Sequence, residues 1–121
     1  SYDHWYLAGH SLGGAMAAVY ADKNSEKLDG LIFLAAYSTK DLSDTDLKVL
    51  SIYGSNDGVV NMDKVTEGRK LMPSVYEEFC IQGGNHAGYG DYGAQKGDGE
   101  ADISAKEQQE ETAEKIVEFC E

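Results

Sequence analysis

The segment that most constrains the fold of this chain is residues 5–15, with the sequence WYLAGHSLGGA. It joins a short apolar stretch to Gly9-His10-Ser11-Leu12-Gly13 and then to a run of small residues, which predicts a strand over residues 5–8, a sharp turn at Ser11 and a helix over residues 14–21. Such a turn strains the serine backbone and tolerates only very small neighbours, which accounts for Gly9 and Gly13. The alternative is a tight glycine turn with an incidental serine.

A serine held in such a turn is a candidate nucleophile. A hydroxyl group attacks poorly unless a base lies beside it and N–H donors face the charge that develops on the substrate. The predicted helix begins just after Ser11, so its dipole and the backbone N–H of Leu12 would face a developing oxyanion. The sequence therefore predicts Ser11 as a reactive group and Leu12 as part of an oxyanion hole.

Length, charge and cysteine content narrow the class of protein. At 121 residues the chain forms one domain at most, and it has no apolar run long enough to cross a membrane, so we expect a soluble protein without membrane insertion. The net charge of −12 would repel a phosphate backbone, so nucleic-acid binding is not expected.

Cys80 and Cys120 lack metal-ligand spacing and are expected to be buried small side chains, with a disulfide between them as the alternative. The sequence does not determine the cellular compartment of the protein, although the cytoplasm is slightly favoured.

Strand and helix patterns alternate along the rest of the chain. Apolar runs predict strands over residues 31–36, 47–53 and 75–81, and a helix of about ten residues should precede Pro73. Ser104 and Glu107 form a capping-box pattern that opens a last helix. This order predicts an α/β fold of three αβα layers with a mostly parallel sheet of about four strands. The expected buried stripe of the last helix is Ala113, Ile116, Val117 and Cys120.

A serine, an aspartate and a histidine follow three of the four predicted strands. Because the carboxyl ends of parallel strands gather at one edge of the sheet, we expect Ser11, Asp57 and His86 to meet there. His4 precedes its strand and would lie at the opposite edge. Asp57 could instead be an ordinary turn residue. Asp41 and Asp63 are other carboxylates near strand ends that could take the place of Asp57. His86 could instead be a loop histidine without a partner.

The chain resembles the α/β-hydrolase superfamily in three motifs, which are Gly9-His10-Ser11-Leu12-Gly13-Gly14, Gly54-Ser55-Asn56-Asp57 and Gly83-Gly84-Asn85-His86. The resemblance covers residues 1–121 but only the later half of that fold, from the nucleophile turn to the last helix. Residues 83–107 look similar to bacterial dienelactone hydrolase-like proteins and small esterases. The resemblance implies a catalytic triad in which Ser11 is the nucleophile, His86 the general base and Asp57 the residue that orients His86.

The chain departs from that family at its start. The resemblance implies a second oxyanion donor on a loop after an earlier strand, and no such strand precedes Ser1 in this sequence. The first strand would then be an open sheet edge, which invites pairing with another chain. We therefore expect either a missing N-terminal segment or a second copy, in a homo-oligomer, to pair along this strand. For the same reason we do not expect full activity from the isolated chain.

The expected substrate is a small-molecule ester. The short connection over residues 37–46 leaves no room for a large cap domain, so access to the site should be open. We do not expect a cofactor or a metal, because Asp91, Asp98 and Asp102 lack the ligand spacing of an EF-hand. The candidate substrate-pocket residues are His10, Tyr37, Tyr89 and Tyr92. The side chain of His10 should point away from that of Ser11. Tyr89 and Tyr92 could equally be surface tyrosines.

Three functions fit these features. The first is a serine hydrolase that cleaves carboxylic esters of small acyl compounds through an acyl-enzyme. The second is a peptidase or amidase, because the same three residues serve both reactions and specificity depends on the pocket. The third is a non-catalytic fragment or assembly module that has kept the motifs.

Overall fold

Four parallel strands form the centre of the protein. The computed structural model describes residues 4–90, 93 and 95–121, and in this part of the chain each strand pairs with the next one along the sequence. The predicted α/β fold with a parallel sheet is therefore confirmed. The strands are β1 (Tyr6–His10), β2 (Gly30–Leu34), β3 (Lys48–Gly54) and β4 (Val75–Ile81), and the helices are α1 (Leu12–Lys23), α2 (Met62–Gly68, extended by a 3₁₀ turn over Arg69–Leu71) and α3 (Ala105–Cys120).

Helices cover both faces of the sheet. On one face the buried alanines of α1 pack against Leu31 and Phe33 of β2. On the opposite face Phe119 of α3 packs against Ile32 of β2. Because successive residues of a strand point to opposite faces, a strand covered on both sides must be apolar throughout, as β2 is. The expected three-layer arrangement is confirmed.

The turn at Ser11 is tighter than the sequence suggested. Strand β1 continues two residues beyond Ala8, since Gly9 pairs with Phe33 and His10 pairs with Leu34 across the sheet. Helix α1 begins at the next residue after Ser11, so a single residue joins the two elements. Glycine is uncommon inside strands and helices, and for that reason the sequence pattern placed the two boundaries too far from Ser11.

The predicted buried stripe of α3 is wrong in part. Ala113 and Val117 are exposed, whereas Ile116 and Cys120 are half-buried and pack on the core. The buried positions also include Gln108, Thr112 and Phe119. The first two are polar, and their hydrogen bonds explain their burial: Gln108 bonds to the backbone of Asn85, and the Thr112 hydroxyl donates to the Gln108 carbonyl at 2.7 Å. An apolar periodicity cannot detect buried side chains of this kind.

Strand β1 has a neighbour on one side only in the described part of the chain. Helix α1, which contacts both β1 and β2, exposes Leu12, Met16 and Tyr20, which are spaced four residues apart and so share one helix face. Cys80 and Cys120 are both free and half-buried. Among the described helices, none has the length and apolar character needed to cross a membrane.

Candidate active site

Ser11 occupies a strained position between β1 and α1. Its backbone angles are φ 56° and ψ −124°, and a positive φ is rare for a residue with a side chain. The Ser11 N–H donates to the Leu34 carbonyl at 3.0 Å, which anchors the turn to β2. Strain of this kind costs about 1–3 kcal/mol and persists only where the surrounding structure holds it in place. The Ser11 hydroxyl makes no capping bond to α1, so it is available to a partner outside the helix.

The glycines around Ser11 differ in how much space they have. A Cβ at Gly9 would overlap the Gly13 carbonyl oxygen and lie 2.6 Å from the Gly14 nitrogen. A Cβ at Gly14 would overlap the Ala36 side chain. A Cβ at Gly13 would meet nothing within 4 Å. The expectation that Gly9 and Gly13 are the required small residues is therefore wrong for Gly13; the close approach of α1 to the sheet requires Gly9 and Gly14.

His86 connects Ser11 to Asp57. Its imidazole is 1% exposed, with Nδ1 at 2.8 Å from Asp57 Oδ2 and Nε2 at 2.9 Å from Ser11 Oγ. A carboxylate can only accept hydrogen bonds, so Nδ1 carries the proton and Nε2 accepts from the serine hydroxyl. The structure thus brings together the three side chains that follow β1, β3 and β4.

Asp57 is held by both of its carboxylate oxygens. Oδ2 accepts from His86, and Oδ1 accepts the backbone N–H groups of Val59 and Val60, each at 2.8 Å. Its side chain is 1% exposed. The other carboxylates considered from the sequence have different surroundings: Asp41 bonds to Ser43 in its own loop, and Asp63 lies in the first turn of α2.

The two remaining histidines lie outside this chain of hydrogen bonds. His4 is exposed near Asp29, with 3.6 Å between Nδ1 and Oδ1, before β1 begins. The His10 Nε2–H donates to the His86 carbonyl at 2.9 Å, and the two rings are 4.8 Å apart. Burial, together with the nearby His86, holds the pKa of His10 below its ordinary value. His10 therefore contacts the backbone and the ring of His86 without entering the hydrogen bonds that join His86 to Ser11 and Asp57.

A cleft of about 250 Å³ opens beside the Ser11 hydroxyl. Leu12 lines it, and the Leu12 N–H, the first of α1, has no partner among the described residues, so it is free to donate to a group bound next to Ser11. Lysine, arginine, aspartate and glutamate are absent from the lining, as far as the described residues show. Most of the wall is small or apolar and consists of Ala15, Ala35, Ala36, Tyr37, Val59 and Val60.

Of the four candidate pocket residues, Tyr37 lines the cleft. His10 and Tyr89 are not among its lining residues, and their place in a substrate pocket stays a prediction. Their rings are 5.3 Å apart and pack behind His86, because the 3₁₀ turn over Ala87–Tyr89 directs the chain toward α3 rather than over Ser11. Burial raises the pKa of the Tyr89 hydroxyl well above its ordinary value. Tyr92 lies outside the described residues.

Sequence reasoning considered Asp98 only as a metal ligand and missed its contacts with the loops that carry Asp57 and His86. Asp98 Oδ1 accepts from the backbone N–H groups of Gly58, His86 and Gly99 at 2.9–3.1 Å, and Oδ2 accepts from Ala87 at 2.9 Å. Burial opposes ionisation of this carboxyl, but the four N–H donors outweigh it and hold its pKa below the ordinary value. Its two glycine neighbours, Gly97 and Gly99, are the signal that could have drawn attention to a closely packed carboxylate.

Comparison with known proteins places the chain in a family. A family model described as "Alpha/beta hydrolase family" matches residues 1–110. No protein of curated function matches the sequence.

Solved structures share the fold at low sequence identity. A predicted CIB-like hydrolase from Thermoplasma acidophilum has a TM-score of 0.66 and 19% identity over 93% of this chain and 50% of its own. A putative dienelactone hydrolase from Klebsiella pneumoniae has a TM-score of 0.68 and 19% identity over 94% of this chain and 50% of its own. A monoacylglycerol lipase from Paleococcus ferrophilus has a TM-score of 0.66 and 14% identity over 94% of this chain and 66% of its own.

The chain therefore spans about half to two thirds of the length of these structural neighbours. At these identities the likeness shows the fold alone, and the family rests on the match over residues 1–110. On that match, the chain belongs to the alpha/beta hydrolase family.

Proposed function

We propose that the protein is a serine hydrolase that cleaves carboxylic esters of small acyl compounds through an acyl-enzyme. The observation that carries the proposal is the buried His86 imidazole, which lies 2.8 Å from an Asp57 oxygen and 2.9 Å from the Ser11 hydroxyl. Hydrogen-bonded contact between a nucleophile, a base and an orienting acid is the arrangement that activates a serine. The family supports hydrolase chemistry, and the assignment of roles to these residues is our proposal.

The proposed reaction has two halves. Ser11 Oγ attacks the ester carbonyl carbon while His86 Nε2 takes the hydroxyl proton, and Asp57 stabilises the imidazolium that forms. The tetrahedral oxyanion is stabilised by the Leu12 N–H at the start of α1. The intermediate collapses when the alcohol leaves with the proton from His86, and the acyl group stays on Ser11. Water then attacks the acyl carbon while His86 takes one of its protons; the bond to Ser11 Oγ breaks, His86 returns the proton to Ser11, and the acid is released.

A small, uncharged acyl group suits the cleft best. The wall beside Ser11 consists mostly of alanine, valine and leucine side chains and Tyr37, with Asn61 as an uncharged polar member, and the cleft volume of about 250 Å³ lies just below the usual range for ligand sites. A charged acyl group would lose its hydration there without gaining an opposite charge among the described lining residues. We therefore propose short, neutral acyl esters as the substrate class.

The second oxyanion donor is proposed to come from polypeptide that pairs with the open edge of β1. We take residues 1–121 as the C-terminal portion of an α/β-hydrolase domain, in line with neighbours whose chains are longer. The apolar face of α1 that Leu12, Met16 and Tyr20 expose, on the helix that directly follows β1, is the surface that we propose such polypeptide to cover. Full activity belongs to the protein in which this edge is paired.

Ester and amide hydrolysis, measured side by side, test the proposal. We expect the protein in which the β1 edge is paired to hydrolyse p-nitrophenyl acetate with a burst of p-nitrophenol, and p-nitroacetanilide to be a far poorer substrate. Ser11→Ala should reduce the rate by about 10⁴-fold or more, because the nucleophile and its base act as a unit. Ser74→Ala, at an exposed position in the turn before β4, is the matched control.

The other outcomes are equally informative. Preferential cleavage of the anilide would favour a peptidase or amidase. A folded protein whose ester hydrolysis is the same with and without the Ser11 hydroxyl would favour a non-catalytic assembly module.

A further inference from the structure

We infer that Asp98 is a positioning residue that joins the loop carrying Asp57 to the loop carrying His86. The inference rests on the proposed function, because it concerns the geometry of the same three side chains. The two loops follow different strands, β3 and β4, and a third segment, residues 97–102, bonds to both.

The Asp98 carboxylate makes the most direct connection between the loops. One of its oxygens, Oδ1, accepts from the N–H of Gly58, the residue after Asp57, at 3.1 Å and from the N–H of His86 itself at 3.0 Å. The other, Oδ2, accepts from the N–H of Ala87 at 2.9 Å. A single side chain thus fixes the backbone next to the acid and the backbone of the histidine.

The rest of the 97–102 segment follows the same path. Asn56, before Asp57, donates from Nδ2 to the Glu100 carbonyl at 2.9 Å and to Asp102 Oδ2 at 3.0 Å. Asn85, before His86, donates from Nδ2 to the Gly99 carbonyl at 3.0 Å. Each loop therefore contributes an asparagine side chain to the segment that carries Asp98.

Backbone contact between the segment and the acid-bearing loop leaves no space for side chains. A Cβ at Gly58 would lie 2.5 Å from the Gly97 carbonyl oxygen, and a Cβ at Gly99 would overlap the Asn56 carbonyl oxygen. Displacement of the segment would therefore move the loops as well, because their backbones are already in contact. A shift of about 1 Å in a catalytic group can reduce a rate by about 100-fold.

A carboxylate suits this position better than an amide. Four N–H groups converge on Asp98, and both of its oxygens accept. In Asp98→Asn one oxygen becomes an NH₂ group, which cannot accept, so at least one N–H of the His86 loop or the Asp57 loop loses its partner. We expect that loss to loosen the contact between the His86 ring and Asp57.

The test compares Asp98→Asn and Asp98→Ala with Asp44→Asn, an exposed aspartate in another turn. The first measurement is the downfield proton NMR signal of the His86 Nδ1–H that is hydrogen-bonded to Asp57. The second is the rate of fluorophosphonate labelling of Ser11, taken at a temperature where circular dichroism shows every variant to be folded. A purely structural role for Asp98 would leave the signal and the labelling rate per folded molecule unchanged.

We expect the downfield signal to shift or disappear in Asp98→Asn, with labelling slowed about 10- to 100-fold and slowed further in Asp98→Ala. Asp44→Asn should match the wild type. If the Asp98 variants do not fold, Gly99→Ala displaces the same segment while it keeps the carboxylate, and the same two changes are expected.

Three results separate this inference from the proposed function. Wild-type signal and labelling rate in folded Asp98→Asn, or in Gly99→Ala where that variant has to be used, would overturn the inference. A wild-type protein without the downfield signal would overturn it too. A wild-type protein that shows the signal, loses it in Asp98→Asn and yet is never labelled at Ser11 would refute the hydrolase proposal and leave the positioning role intact.

Discussion

Two glycines in the Ser11 turn should respond in opposite directions to the same substitution. Gly9→Ala places a Cβ against the Gly13 carbonyl oxygen and 2.6 Å from the Gly14 nitrogen. Both are backbone atoms of the first turn of α1, so no side chain can rotate away to make room. Gly13→Ala places its Cβ where no atom lies within 4 Å.

The magnitudes follow from that difference. Overpacking a tight site costs about 1–3 kcal/mol, and contact with backbone puts Gly9→Ala near the upper end, about 3 kcal/mol. Gly13 lies inside α1 without a positive φ, so alanine should stabilise the helix there by roughly 0.5–1 kcal/mol. The two variants should therefore differ by about 3.5–4 kcal/mol in the free energy of unfolding, which is the sum of the two effects.

Urea unfolding followed by circular dichroism measures this difference. The midpoint should fall for Gly9→Ala and rise for Gly13→Ala, with similar m-values. Each kcal/mol corresponds to about 4 °C in Tm for a chain of this size, so thermal melts give an independent check. Equal destabilisation by the two substitutions would refute the account of how α1 approaches the sheet.

Three further predictions concern α3 and two ionisable groups. Val117→Lys should change the free energy of unfolding by less than about 0.5 kcal/mol, whereas Phe119→Ala, at a buried position, should cost about 3–5 kcal/mol; equal effects in urea melts would show that our register of α3 is wrong. The pKa of Asp98 in the folded protein lies below its ordinary value of 3.8, so the ionised carboxylate stabilises the fold above pH 3.8. This stabilisation is lost as the pH falls through the pKa of the folded protein. Asp98→Asn should therefore lower the free energy of unfolding more at pH 7 than at pH 3. Burial and the neighbouring His86 hold the pKa of His10 below 6.5, so the unfolded chain binds the proton more readily than the folded protein. The free energy of unfolding of the wild type, relative to that of His10→Gln, should therefore decline as pH falls from 7 to 5. A difference between the two proteins that does not change with pH would contradict this.

The sequence was most informative where its signals were periodic or positional. Strand β4 was predicted with the observed bounds, and the meeting of Ser11, Asp57 and His86 followed from one rule, namely that the ends of parallel strands share an edge. Hydrogen bonds at 2.8 and 2.9 Å now join the three side chains, while their catalytic roles stay predictions.

Other features depend on contacts that no local pattern encodes. Glycine inside β1 and α1 obscured where these elements end, since the close approach of Gly9 and Gly14 is a tertiary requirement. Gln108 is buried because its amide bonds to the backbone of a distant loop, so it escaped an analysis of apolar spacing. Asp98 escaped for the same reason: its four partners lie on three separate segments of the chain.

The central claim is that the Ser11 hydroxyl is a nucleophile activated by His86. Its most direct test is to treat the protein with a fluorophosphonate, digest it and locate the adduct by mass spectrometry. We predict an adduct on the peptide that contains Ser11, at full occupancy in the wild type and absent from Ser11→Ala. A folded protein that takes up no label, or one that labels equally well after Ser11→Ala, would contradict the account.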